Sequence, residues 1–210
     1  MVKDLINGFT NFRKNFFSDG KGFYPNLVKK EQKPKAMVIS CSDSRVDPAI
    51  LFGALPGELF VVRNVANLVP PYQPDEGFHG VSAAIEYGVR DLGVKEIIVL
   101  GHAFCGGIEA LCSNLSGESS KKREFIMPWV EIARPAVERI ETKLEKSDMV
   151  RAVEQASIIN SIKNLRTFPW VQSGELSNNL RVHGWWFEME EGALWAVDNG
   201  DGDFYRLRPK

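Results

Sequence analysis

The stretch ISCSDSRVDP, residues 39–48, brings together a thiol, a carboxylate and a guanidinium at Cys41, Asp43 and Arg45. A second stretch, GHAFCGG at 101–107, sets His102 and Cys105 three positions apart. Both follow apolar runs that read as strands, AMVIS at 36–40 and KEIIVLG at 95–101. If those strands are neighbours, Cys41, His102 and Cys105 converge at one end of a sheet. Thiolate and imidazole suit zinc, which prefers four ligands; three from protein leave one place for water, the pattern of a catalytic site. Each piece alone has a plainer reading. A cysteine at a strand end is often a small buried hydrophobe. His-x-x-Cys by itself is a weak signal, Asp-x-Arg is by default a loop-stabilising ion pair, and Gly101, Gly106 and Gly107 read as tight-turn residues. The combination is what points to a metal.

The elements around these stretches alternate between the two periodicities. ELFVVRN at 58–64 reads as a further strand after a turn at Pro56-Gly57. Helical spacing runs over 80–92, from Gly107 onward, over about 128–146 and over 148–166. The run RVHGWWFEMEEGALWAVD reads as two strands about the Glu191-Gly192 turn. Strands alternating with helices, and strands apolar throughout, predict an α/β fold with a mainly parallel central sheet flanked by helices. In such sheets ligands bind beyond the carboxyl ends of the strands. Ahead of this core, residues 4–17 place Leu5, Ile6, Phe9, Phe12, Phe16 and Phe17 at helical spacing. DGKGFYP breaks that helix, and KKEQKPK is a polar connector. The expected division is an N-terminal helical arm with connector, 1–34, and a catalytic core, 35–210. So apolar an arm needs a surface to cover it, such as a second subunit.

Composition narrows the class. A hydrophobic fraction of 44%, a charged fraction of 25% and a net charge of -1 describe an ordinary globular chain. They give no general nucleic-acid surface. SGESSKKRE reads as a solvated charged loop, without the basic-aromatic interleaving used for single strands. No apolar run approaches the ~18 residues of a membrane span. The N-terminus lacks the apolar core and cleavage site of a secretory signal. With only three cysteines, Cys41, Cys105 and Cys112, a disulfide framework is not expected. A cytoplasmic, reducing setting fits better, although the basic amphipathic N-terminus leaves organellar targeting open.

CSDSR followed by GHAFCGG closely resembles the β-class carbonic anhydrases, whose zinc motifs are Cys-x-Asp-x-Arg and His-x-x-Cys. The resemblance continues through PGELFVVRNVANLVPPY, AAIEYGVRDLGVKEIIVLGHAFCGGI and HGWWFEMEEGALW, from about residue 32 onward. It implies one zinc per chain, held by Cys41, His102 and Cys105, with Asp43 and Arg45 paired beside it. It implies hydration of carbon dioxide to bicarbonate and a proton by attack of zinc-bound hydroxide. It also implies a dimer, or an assembly of dimers, with the arm wrapped around a second subunit. Plant-type members add a glutamine nine residues before the first cysteine, an aromatic pocket and a tyrosine; the matching positions are Gln32, Phe60, Val65 and Tyr87. In the family's closed form the aspartate swings onto zinc and a tryptophan three residues before the first cysteine helps bind bicarbonate. Here that position is Val38. Arg63, alone, is a weak anion site, so the resemblance implies the open form.

The chemistry agrees with those roles. Hydrating apolar carbon dioxide at neutral pH needs hydroxide, which zinc provides by lowering the pKa of water. Two thiolates put that pKa between ~7 and the ~9 of aqueous zinc. Asp43 would accept a hydrogen bond from the hydroxide, and Arg45 would keep the carboxylate ionised and off the metal. Gln32 would offer an amide donor to a substrate oxygen, and Phe60, Val65 and Tyr87 would wall the pocket; ordinary packing also accounts for those walls. His79 and His183 are open to proton transfer or to plain structural pairing. Cys112 reads as a packed thiol. A related enzyme acting on carbon disulfide, a zinc-stabilised protein without catalysis and a rhodanese-like thiol enzyme are the rival readings. The intact Asp43 and Arg45 argue against the second, and the presence of His102 and Cys105 against the third.

Overall fold

The computed structural model describes residues 1–17, 22–118, 123–140, 145–198 and 202–208. The chain divides into two compact units, Met1–Lys33 and Pro34–Lys210. The first holds helices α1 (Val2–Phe16) and α2 (Phe23–Leu27). The helix expected at 4–17 is therefore present. The chain turns helical again at Phe23, where Pro25 is tolerated because it falls in a first turn. The aromatic rings pack on one another: Phe12 lies 5.3 Å from Tyr24 and Phe17 stacks on Tyr24 at 5.2 Å. Leu5, Ile6 and Phe9 remain exposed, and α1 has no buried residue.

The second unit follows the order β1 (Ala36–Cys41), α3 (Pro48–Leu51), β2 (Leu59–Asn64), α4 (Gly80–Glu86), β3 (Glu96–His102), α5 (Gly106–Leu115), α6 (Ile126–Val130), α7 (Arg134–Val137), α8 (Lys146–Leu165), α9 (Pro169–Leu176), β4 (Arg181–Glu188), β5 (Ala193–Val197) and β6 (Tyr205–Arg206). The sheet order is β2-β1-β3-β4-β5-β6. The first four strands run parallel, and β5 and β6 add antiparallel pairs at one edge. The expected α/β architecture and the neighbouring of β1 and β3 are both observed. Every residue of β1 is buried, as a central parallel strand requires.

One face of the sheet packs Met37, Ile39, Ile97, Val99 and Trp186 against Ile158, Ile162 and Phe168. The other gathers Val38, Ile98 and Leu100 with Val46, Phe52 and Trp185. A third cluster caps the carboxyl end of β1, with Cys41, Cys105, Leu68, Ile108, Leu111 and Val153.

Several expectations are corrected. The helix at 128–146 is instead three short turns, α6, a 3₁₀ turn over Glu131–Ala133, and α7; Pro135, in the interior of the expected helix, removes a helix donor. Its residues 141–144, like 119–122 of the charged loop, lie outside the described residues. The helix at 80–92 continues past Glu86 as a π-turn over Tyr87–Asp91. Helices α3 and α9 have no counterpart in the periodicity reading; both are short and start at a proline, after Asp47 and Phe168. Of the three glycines read as turn residues, Gly101 lies inside β3. A Cβ there would meet Ile158 at 2.7 Å. Gly107 likewise makes room for Val65 and Ala66.

Candidate metal centre

Cys41 ends β1, His102 ends β3, and Cys105 caps the start of α5. Parallel pairing of β1 with β3 carries the first two to the same end of the sheet. The ligand atoms of Cys41, His102 and Cys105 all lie within 4.8 Å of one another, and all three residues are buried. Among the described residues this is the one His/Cys/Asp/Glu group so arranged.

Each donor is prepared for a cation. His102 Nδ1 lies 2.8 Å from the Ala103 carbonyl, which can only accept, so the ring proton sits on Nδ1. That leaves the Nε2 lone pair bare, buried and without a hydrogen-bond partner. A second, outer bond fixing the tautomer is the usual arrangement of a metal-binding histidine. Cys41 Sγ accepts the backbone N–H of Ala66 at 3.3 Å. The Cys105 thiol, His102 and the amides of Asp43 and Ala66 pull the Cys41 pKa far below that of a free thiol, against the opposing effect of burial. The Cys41 thiolate and burial push Cys105 up in turn. Burial opposes charge on His102, yet Cys41, the Ala103 carbonyl and Asp43 outweigh it and raise its pKa. The pocket thus favours positive charge among its donors, and a Cys₂His set suits zinc.

The Asp43–Arg45 pair is bidentate. Arg45 Nε donates to Asp43 Oδ1 at 2.9 Å and Nη2 to Oδ2 at 2.7 Å, while the Arg45 amide donates to the same Oδ1 at 2.9 Å. The guanidinium holds the Asp43 carboxyl well below the usual carboxylate range. Arg45 Nη2 also reaches the Phe104 carbonyl at 3.3 Å, tying the first motif to the second.

Three supports were not legible as site residues. Arg63 was read as a weak anion site, but its guanidinium is taken up by the first loop. It donates to the carbonyls of Cys41 at 3.1 Å, Asp43 at 2.7 Å and Val46 at 2.9 Å, and to Asp47 Oδ2 at 3.1 Å. Ala66 and Asn67 adopt positive φ, 65° and 48°, while buried. That left-handed backbone aims the Ala66 amide at Cys41, and Asn64 clasps the turn with two 2.9 Å bonds to Leu68. Glu154, in α8, accepts the Cys105 N–H at 2.8 Å. Only Asn67 carries a sequence hint here, since asparagine is enriched in left-handed backbone.

The expected substrate-pocket residues do not all gather here. Val65 packs beside Cys41 and Cys105, anchored by a 2.7 Å bond from Trp129 Nε1 to its carbonyl. Phe60 pairs with Met37, four residues back from the Cys41–Asn64 pair. Along a strand that is about 13 Å away. Tyr87 lies against Phe60, ring centroids 5.9 Å apart, and is exposed. Gln32 is exposed in the N-terminal unit. His79 pairs with Asp75 at 2.6 Å and His183 with Glu96 at 2.7 Å. His183 also sits beside Ile98, four residues before His102 in β3. Cys112 is buried in the cluster around the site but outside the ligand group. No helix among the described residues is long and apolar enough to cross a membrane.

Comparison with known proteins points one way. The family profile for carbonic anhydrase matches residues 36–194. Beta carbonic anhydrase 3 of Arabidopsis thaliana is 36% identical over 203 residues, 94% of this chain and 78% of that protein. A carbonic anhydrase of Pseudomonas aeruginosa is 35% identical over 206 residues, 98% and 92% of the two chains. Among solved structures, the β-carbonic anhydrase CcaA superposes with a TM-score of 0.87 at 32% identity, over 100% of this chain and 93% of that one. One of two tetrameric β-carbonic anhydrases of Sordaria macrospora gives 0.76 at 25% identity, over 97% and 96%.

Proposed function

This chain belongs to the β-class carbonic anhydrases, lyases that interconvert carbon dioxide and bicarbonate, and we propose how its own residues divide the work. Cys41, His102 and Cys105 hold one zinc per chain. Zinc, when bound, supplies the Lewis acidity that makes water a nucleophile at neutral pH. The observation that carries this is the buried Cys₂His cluster, whose histidine keeps Nε2 free of any partner.

Asp43 accepts the hydrogen bond of the attacking water and so orients its lone pair toward the substrate carbon. Arg45 keeps that carboxylate ionised and holds both of its oxygens. The pairing supports the plant-type, open-site reading, in which Asp43 stays off the metal. Arg63 adds to that support, because its donors are engaged with loop carbonyls and Asp47. So does Val38, fully buried on the far face of the sheet from Met37 and Ile39. Cooperative inhibition by bicarbonate, or Asp43 bound to zinc in crystals grown near pH 7, would overturn it.

The rest of the substrate pocket comes from two subunits. Val65 walls the site within its own chain, while Gln32, Phe60 and Tyr87 complete the site of a second copy. For Phe60 and Tyr87 the support is position: Phe60 lies on edge strand β2, with Tyr87 exposed against it. A solved relative is described as tetrameric, which agrees with a dimer or an assembly of dimers. The arm, 1–34, supplies part of that interface through the exposed Leu5, Ile6 and Phe9. Three unpaired cysteines agree with a reducing, cytoplasmic setting. Metal analysis paired with stopped-flow carbon dioxide hydration tests the core of this reading: about one zinc per chain and rapid hydration are expected. Deleting residues 1–20 should weaken dimerisation and hydration together. A fully active monomer without them would refute the shared site.

A further inference from the structure

We propose that Glu154 is a positioning residue for the metal centre, fixing Cys105 through its backbone. Glu154 is 3% exposed, and its Oε1 accepts the Cys105 N–H at 2.8 Å. A buried carboxylate is costly unless its oxygens are used, so its retention beside a metal ligand calls for a reason.

The packing of α8 supplies the means. Ile158, one turn after Glu154 on the same face of the helix, seats in a notch of the sheet. That notch exists because two strand residues have no side chain. A Cβ on Gly101 of β3 would meet Ile158 at 2.7 Å, and one on Gly184 of β4 would meet it at 2.9 Å. The two glycines therefore let α8 approach closely enough for the carboxylate to reach the loop. Ser157 Oγ, bonded to the Glu154 carbonyl at 2.8 Å, stiffens the same turn.

At the other end of the contact, Cys105 is the residue from which α5 starts, and its own side chain makes no capping bond. The amide that Glu154 engages thus belongs to the ligand itself. Holding that amide sets where the sulfur points relative to Cys41 and His102. The first motif has an equivalent brace in Arg63; Glu154 gives the second motif one from a separate helix. Outer partners of this kind typically change metal affinity by about 10–100-fold when lost.

The inference rests on the zinc reading above. Two conservative variants test it, measured by zinc competition against a chelator and by the thiolate-to-cobalt absorption of cobalt-substituted protein. Glu154→Asp keeps the charge but shortens the reach; zinc affinity should fall at least about tenfold, with a changed cobalt spectrum. Glu154→Gln keeps the acceptor and drops the charge; affinity should stay within about threefold of wild type, with the cobalt spectrum retained. Ser157→Ala, a nearby change that leaves the Cys105 contact intact, controls for general loosening of α8. Wild-type zinc affinity in Glu154→Asp overturns the inference, as does a loss in Glu154→Gln equal to that in Glu154→Asp. A wild-type protein that binds no zinc would instead overturn the metal assignment.

Discussion

At the end of β1, the loop from Cys41 to Asp47 is braced by its own neighbours and by the adjacent strand β2 with the turn that follows it. Arg45 grips Asp43 two residues away, and Asp47 caps α3 through the amides of Ala49 and Ile50. From farther along the chain come Arg63 of the adjacent strand, the Asn64 carbonyl and the Ala66 amide just after it, and the Phe104 carbonyl of the other motif. At the end of β3, the segment from His102 to Cys105 borrows its support. Its long-range bonds come from Glu154 in α8, from the Phe187 carbonyl in β4 and from Arg45 in the other motif. One half of the site is held by local bonds and the adjacent strand, and the other also draws on a docked helix, α8. Two ligand sets of similar appearance in sequence thus depend on different levels of structure. The first should tolerate loosening of α8 better than the second.

The severest way to break this contrast is to remove a ligand. Cys105→Ala should lose zinc and hydration together, measured by metal analysis and stopped flow. Full zinc occupancy would mean that the ligand set is wrong. A milder disruption is Arg63→Met, which strips the guanidinium brace from the first loop. It should cost about 2 kcal/mol in denaturant unfolding, since hydrogen bonds to a charged donor are lost. Unchanged stability would show that the local pair and the Asn64 and Ala66 bonds suffice to hold the first loop.

Arg45→Gln probes the local pair through pH. Arg45 lowers the Asp43 pKa in the folded chain, so the pair stabilises above the ordinary carboxylate pKa of about 4. That contribution is lost as pH falls toward the depressed folded value. The melting temperature of the variant should lie below wild type at pH 6. The gap should narrow as pH drops below about 4. A gap independent of pH would show that the loss is packing and not charge pairing. The smallest effect is expected from Cys112→Ala, buried in the same cluster but outside the ligand group. It should cost about 1 kcal/mol in stability and leave zinc content whole.

The same contrast explains what could be read in the chain beforehand. Cys41, Asp43, Arg45, His102 and Cys105 were legible because each motif is contiguous and follows an apolar strand. Neighbouring of β1 and β3 was enough to bring them together. Glu154 was not legible, because a lone glutamate in a helical run looks like any solvent-facing charge. Its burial comes from Gly101 and Gly184, which act from two different strands. The bracing role of Arg63 was not legible for a related reason: the carbonyls it binds are backbone groups without a sequence signal. The helix expected at 128–146 failed on Pro135 in its interior, whose effect outweighs a regular apolar spacing. Phe60 and Tyr87 matched a pocket by motif alone, and the strand register sets Phe60 away from its own ligand cluster.

The most direct test of the account concerns Asp43, because the account gives it a role in the reaction and none in holding the metal. Zinc content and carbon dioxide hydration should be measured on one preparation of Asp43→Asn. The asparagine keeps the shape of the side chain but not the charge that orients the attacking water. The variant should retain about one zinc per chain, as the Cys41, His102 and Cys105 donors are untouched, and lose about 10²-fold or more in turnover. Near-normal hydration by the zinc-loaded variant would contradict the account.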